Sequence, residues 1–192
     1  MNAVTSAHRL QQVLSHLQAV GRQQVARLGL VKPVGAEGEA HLRALRATPR
    51  ARRAFAAAHP ADQASATRTA ASLRRLGAKG DDQLAALLHD LPKGAVGLLP
   101  RVLHVLEGSP VTGRARGPFA RARQTLRLHA SVAPTHAAKL GAPRGTITIL
   151  QELARQESSS AHRGRAAGID ARVRLLLDLE KFLLAKQGRL FQ

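Results

Sequence analysis

Apolar residues recur at three- and four-residue steps along most of the chain, and no stretch shows convincing period-two alternation. Residues 4–30 read as a first helix with one apolar stripe of Leu10, Val13, Leu14, Leu17 and Val20, which Gly21 is placed to break. Such a stripe points to packing against the rest of the fold or against a second copy of the chain. The stretch from Val31 to Gly38, with Pro33, Gly35 and Gly38, reads as a linker. A short helix follows over 38–47 through Leu42 and Leu45. Thr48-Pro49 then has the form of an N-cap and first-turn proline, for a helix reaching about Ala58. Residues 61–76 form the next helix, with Pro60 or Asp62 near its start and Gly77-Ala78-Lys79-Gly80 closing it. Further helices are expected over 97–107, 119–140 (with Pro134 inside), 145–156 and 170–187. The polar stretch 156–168 separates the last two. The pattern predicts an all-α fold of about seven to nine helices. Its expected organisation is an N-terminal helix and linker over 1–37 and a compact helical bundle over 38–192.

One run stands apart from the others. Leu84, Leu87, Leu88 and Leu91 repeat at helical spacing, and His89-Asp90 lies within them, followed by Pro92, Lys93 and Gly94. Asp81 or Asp82 can cap the start of this helix, and Pro92 and Gly94 suit its end. Adjacent helical residues differ by about 100° in direction, so His89 and Asp90 can aim at one point beside the buried face. Imidazole with carboxylate is a common pair for divalent metals, and the plainer reading is a polar pair at a helix end.

Composition narrows the choices. The chain has 192 residues, of which 44% are hydrophobic, enough for a sizeable core. Ala, Leu and Arg dominate while Trp and Tyr are absent, which favours helix over strand. Cysteine is absent, so disulfides and thiol catalysis are excluded, in keeping with an expected cytoplasmic location. No apolar run has the length of a membrane span, and no charged region followed by an apolar stretch marks a secretory signal. Thirty Lys and Arg against 12 Asp and Glu give a net charge of +18. Such a field attracts polyanions, although a coding bias toward Arg and Ala yields the same balance.

The run from Ala85 to Gly94 resembles the core motif of the HD superfamily of metal-dependent phosphohydrolases. A second patch, from His129 through Leu140-Gly141-Ala142-Pro143, looks like the later segment of HD domains, where a histidine opens a helix. The resemblance covers roughly residues 40–185 and implies a compact, helical HD-like domain. It further implies a divalent ion (Mn, Mg or Fe) held by His89 and Asp90, with His129 at a second metal or a phosphate and Asp178 completing the set. Asp90 and Lys93 would serve catalysis, Lys93 by neutralising a bound phosphate. The implied substrate is a nucleotide-type phosphate ester. Two departures point to impaired or lost hydrolysis. The earlier metal histidine of HD domains falls near Ser65 here, and the later histidine pair falls near Arg155-Gln156. His104 and His136 are expected to be packing residues.

The rival class is nucleic-acid binding without chemistry. Arg114, Arg116, Arg121, Arg123 and Arg127 form a cluster suited to phosphate contacts. With only four Phe and no Trp or Tyr, stacking platforms for single strands are scarce, so contact with a duplex backbone is the better expectation.

Overall fold

The structure is a computed structural model that describes residues 3–94, 96–107 and 119–160, with side chains over 13–94, 96–102 and 119–157. The described residues form α1 (Ala3–Arg27), α2 (Ala36–Ala44), α3 (Pro49–Ala57), α4 (Pro60–Arg75), α5 (Gly80–Leu88), α6 (Leu98–Glu107), α7 (Ala120–Lys139) and α8 (Arg144–Ser160). A 3-10 turn, Leu91–Lys93, follows α5, and no strand occurs among the described residues. The all-α class expected from the hydrophobic spacing is therefore the observed one. The helix expected over 170–187, and with it Asp178, lies outside the described residues, as do Arg114 and Arg116.

Proline and short polar side chains set the helix starts. Pro49 stands at the first turn of α3, and the Thr48 hydroxyl accepts from the Ala51 N–H at 3.1 Å. Pro60 does the same for α4, but the capping acceptor is Nδ1 of His59, 3.2 Å from the Ala61 N–H. Of the two candidates at the start of α5, Asp82 caps it, taking the Lys79 N–H at 3.0 Å. Asp81 instead reaches α8, where the Thr146 hydroxyl donates to it at 2.8 Å. Gly145 makes that approach feasible, since a Cβ there would lie 2.1 Å from Asp81 Oδ2.

Three helices end in one and the same way. Leu45-Arg46-Ala47, Leu76-Gly77-Ala78 and Leu140-Gly141-Ala142 each place the middle residue at positive φ: 55°, 74° and 78°. In each, the alanine N–H returns to a carbonyl five residues back, on Leu42, Leu73 and Ala137, at 2.9, 3.0 and 3.0 Å. This satisfies carbonyls that the helix end would otherwise leave bare and tucks an alanine against the core.

The core lies between α2, α3, α4, α5, α7 and α8, with Leu42, Phe55, Leu73, Leu87, Leu88 and Leu150 fully buried. Complete burial of one such side chain contributes about 1.5–3 kcal/mol. α4 packs most extensively on α5, and α7 on α8. α1 rests on α4 and α6; along the expected stripe Val13 and Val20 are half-buried while Leu14 and Leu17 are each 47% exposed, and Ala19 is the buried residue among the described side chains of α1. α8 runs past the point where the polar stretch was expected to begin. There Glu152 pairs with Arg155 at 2.9 Å and accepts from Gln156 at 2.9 Å, contacts that support a helix from its own surface.

Candidate functional site

Packing of α5 dictates where His89 and Asp90 go. Leu84, Leu87 and Leu88 are drawn into the core, so the helix end is pressed against the bundle and Asp90 is only 4% exposed. The 3-10 turn then folds Lys93 back over it, with the Lys93 N–H on the Asp90 carbonyl at 3.0 Å. That turn packs on α7, which delivers His129. The result is three nitrogens around one oxygen. Lys93 Nζ, His89 Nε2 and His129 Nε2 lie 2.6, 3.2 and 3.4 Å from Asp90 Oδ1. That oxygen is fully buried. His89, Asp90, Lys93 and His129, four residues singled out from the sequence, thus share one centre.

Two further residues complete it, and sequence reasoning missed them. Asp62, in the first turn of α4, is buried and lies within electrostatic reach of Asp90. It is one turn before Ser65, the half-buried residue that occupies the position where the resemblance implies a histidine. Arg101 of α6 grips both Asp62 oxygens, at 2.8 and 2.7 Å, and donates to the carbonyls of Val96 at 2.7 Å and Gly94 at 3.4 Å. A signal for this pair existed. Arg101 is a lone charge inside the apolar run 98–106, and a charge buried there requires an acidic partner.

Electrostatics follows from the packing. Burial opposes ionisation of Asp90, but the positive potential of His89, Lys93 and His129 holds its carboxyl well below the usual carboxylate range. Asp62 moves the other way: burial, then repulsion from Asp90, raises it against the pull of Lys93 and Arg101. Burial, reinforced by Lys93, pushes His129 down to about 4, so its imidazole is neutral at pH 7. His59 falls to about 4 through burial, Arg101 and His16, whose ring centroid is 6.2 Å away.

Of the arginines expected to contact nucleic acid, Arg121 and Arg127 are exposed and Arg123 is half-buried on α7, and both Arg123 and Arg127 have interaction partners. A different basic surface does form: Arg50, Arg53 and Lys139 line an open groove of about 510 Å³ where the start of α3 meets the end of α7. The Thr48 hydroxyl joins the two elements there by donating to the Leu140 carbonyl at 2.5 Å.

Comparison with family models, curated proteins and solved structures yields no match to this chain.

The donor set tests poorly against a divalent ion. The histidines are suitably oriented, because Nδ1 of His89 and of His129 faces a carbonyl, Ala86 at 3.1 Å and Leu126 at 2.8 Å. A carbonyl only accepts, so each Nδ1 carries a hydrogen and each ring is held with Nε2 toward Asp90. The place beside Asp90 Oδ1 is nevertheless held by the Lys93 ammonium, and the second carboxylate is committed to Arg101. Among the described residues no group of three or more His, Asp or Glu is arranged to hold a metal. As the site stands, its residues do not fit the ion that the resemblance implies.

Proposed function

We propose that the chain is an HD-type phosphohydrolase scaffold whose hydrolytic capacity is impaired, and that it binds a nucleotide-type phosphate ester with slow turnover or none. The observation that carries this reading is the convergence of His89, Lys93 and His129 on Asp90 from the end of α5, the 3-10 turn and α7. Three nitrogens, one of them from a helix remote in sequence, face a single buried carboxylate oxygen, which supports a site more than a lone polar pair at a helix end would. Impairment follows from two features. Ser65 offers a hydroxyl where an imidazole is implied, and Lys93 and Arg101 spend the two carboxylates on internal pairing. Metal-assisted attack depends on a fixed set of ligands, and misplacement by about 1 Å costs about a hundredfold in rate. The basic surface, +18 overall, raises the local concentration of phosphate-bearing ligands. The deciding experiment is a phosphatase and phosphodiesterase screen with Mn, Mg or Fe added, comparing wild type with Asp90→Ala. Weak or absent turnover in both is the expected result. Robust turnover lost in Asp90→Ala would restore a working hydrolase and overturn the impaired reading.

The alternative is a non-catalytic nucleic-acid binder. The groove lined by Arg50, Arg53 and Lys139, together with exposed Arg121 and Arg127, favours contact with a phosphate backbone. Affinity for duplex DNA or RNA should then fall steeply with salt and show little sequence preference. A mobility shift that is absent even at low salt would remove this reading.

A further inference from the structure

α1 has two faces. One carries the buried Ala19 and rests on α4 and α6. On the other, Leu14, Leu17, Val25 and Leu28 are 47, 47, 39 and 74% exposed, and Gly21 stands among them with open space where a side chain would be. At about 100° per residue these five positions span only about 80° of the helix, with Gly21 at the middle and Ala19 about 160° away. The Leu28 N–H still reaches the Val25 carbonyl at 3.2 Å, so helical spacing holds to the end of the stripe. This face reads alike in both directions from Gly21. Leu17 precedes it by the step at which Val25 follows it, Leu14 and Leu28 match in the same way, and so do the exposed Gln18 and Gln24. A two-fold contact sets each residue against its mirror position on an identical surface, which is the arrangement this helix offers.

We propose that α1 pairs antiparallel with α1 of a second copy of the chain, about a two-fold axis at Gly21. Leu14 then faces Leu28 of the second copy, Leu17 faces Val25 and Gln18 faces Gln24, while the missing Gly21 side chains let the helices cross closely. Arg22 and Arg27, the charges exposed on this stretch, fall opposite Val20 and Ser15 rather than opposite each other. At about 160–180 Å² for a fully exposed Val or Leu, the four apolar residues present roughly 350 Å² per copy, and Gln18, Gly21 and Gln24 raise this to about 500 Å². The pair then buries about 1,000 Å², the lower end for a specific interface, so association is weak and reversible. The charge of +18 on each copy opposes it at long range, and physiological salt screens that repulsion beyond about 8 Å. Dimerisation therefore strengthens as salt rises, the opposite of polyanion binding. The symmetry selects a second copy as the occupant, since neither a bilayer nor an unlike partner calls for a face mirrored about one glycine.

The chain has no cysteine, so single cysteines introduced into it report the register. A disulfide needs Cβ atoms about 3.5–4.5 Å apart, which a crossing at residue 21 provides there and not at its neighbours. Under mild oxidation Gly21→Cys should form a covalent dimer about tenfold faster, or more, than Arg22→Cys or Leu17→Cys alone. Leu17→Cys mixed with Val25→Cys should give the mixed dimer in preference to either like pair. Sedimentation equilibrium of the wild type should show dimer growing with protein concentration, and more at high salt than at low. Leu17→Glu, at an exposed position, should weaken that dimer about tenfold or more with an unchanged circular dichroism spectrum. A wild type that stays monomeric at high salt and high concentration, equal cross-linking at residues 21 and 22, or a dimer indifferent to Leu17→Glu would each overturn the proposal. A monomer that instead binds anionic phospholipid vesicles, and loses them in Leu17→Glu, would overturn it in favour of a bilayer.

Discussion

Arg101→Met probes how charge pairing holds α4, α6 and the centre together. The guanidinium is 3% exposed, and the Asp62 carboxylate that it grips through two contacts is 6% exposed. Methionine keeps much of the stem but deletes both contacts and the donors to Val96 and Gly94. Asp62 is then left as a buried carboxylate facing Asp90, with Lys93 as the cation acting on both. Removing one partner of a buried pair costs about 3–5 kcal/mol. For a chain of this size that lowers Tm by roughly 6–20 °C. The cost should depend on pH. The Asp62 pKa is already raised in the folded state, and loss of Arg101 raises it further. A carboxyl with a raised folded pKa contributes stability that is full below its unfolded pKa and lost as pH rises through the folded one. The penalty of Arg101→Met is therefore greatest at pH 7 and shrinks toward pH 4. Adding Asp62→Asn removes the stranded charge and should recover about 1–3 kcal/mol of the loss. Urea denaturation followed by circular dichroism at pH 7 and pH 4.5 measures all three variants. A penalty below about 1 kcal/mol at pH 7, a penalty independent of pH, or strict additivity with Asp62→Asn would refute the reasoning.

Other expectations follow from single features. Arg46→Gly should raise stability by about 1 kcal/mol, because Arg46 is an exposed non-glycine residue at φ 55° in a helix end that elsewhere uses glycine; an unchanged urea midpoint would show that the arginine has compensating contacts. His59, held at about 4 in the folded state, titrates near 6.5 when unfolded, so the stability it contributes is full above 6.5 and lost as pH falls toward 4. His59→Asn keeps a capping side chain without a titrating ring and should flatten the urea midpoint across that window relative to wild type. Gly38→Ala should cost about 1–3 kcal/mol, since its Cβ would meet Phe55 Cζ and Thr67 Oγ1, both 2.4 Å away, whereas Gly21→Ala, with nothing within 4 Å, should be neutral or stabilising in a thermal melt.

Hydrophobic periodicity by itself determined the helical class, and capping chemistry determined several boundaries. Thr48-Pro49 starts α3 and Gly141 ends α7 because those choices depend on bonds within a few residues of chain. The pairing of His89 and Asp90 was legible for the same reason, since one helix end places both. Lys93 and His129 entered through the resemblance, and the 3.4 Å approach of His129 to Asp90 depends on α7 packing against the 3-10 turn. Only tertiary structure decided the rest. Asp62 was read as a helix-start residue, and nothing local says that its carboxylate faces Asp90 and is gripped by Arg101, 39 residues later. The same holds for Asp81, whose partner Thr146 is 65 residues away and whose approach is set by the missing side chain of Gly145. The apolar stripe of α1 shows the opposite limit: its periodicity marks an amphipathic helix, but only packing decided that Leu14 and Leu17 stay exposed while Ala19 is buried. Local propensity is written in neighbouring residues, whereas the balance of buried charge at Asp90 depends on which helices meet. That meeting is a property of the packed core, because burying the carboxylates obliges the fold to bring Lys93 and Arg101 to them.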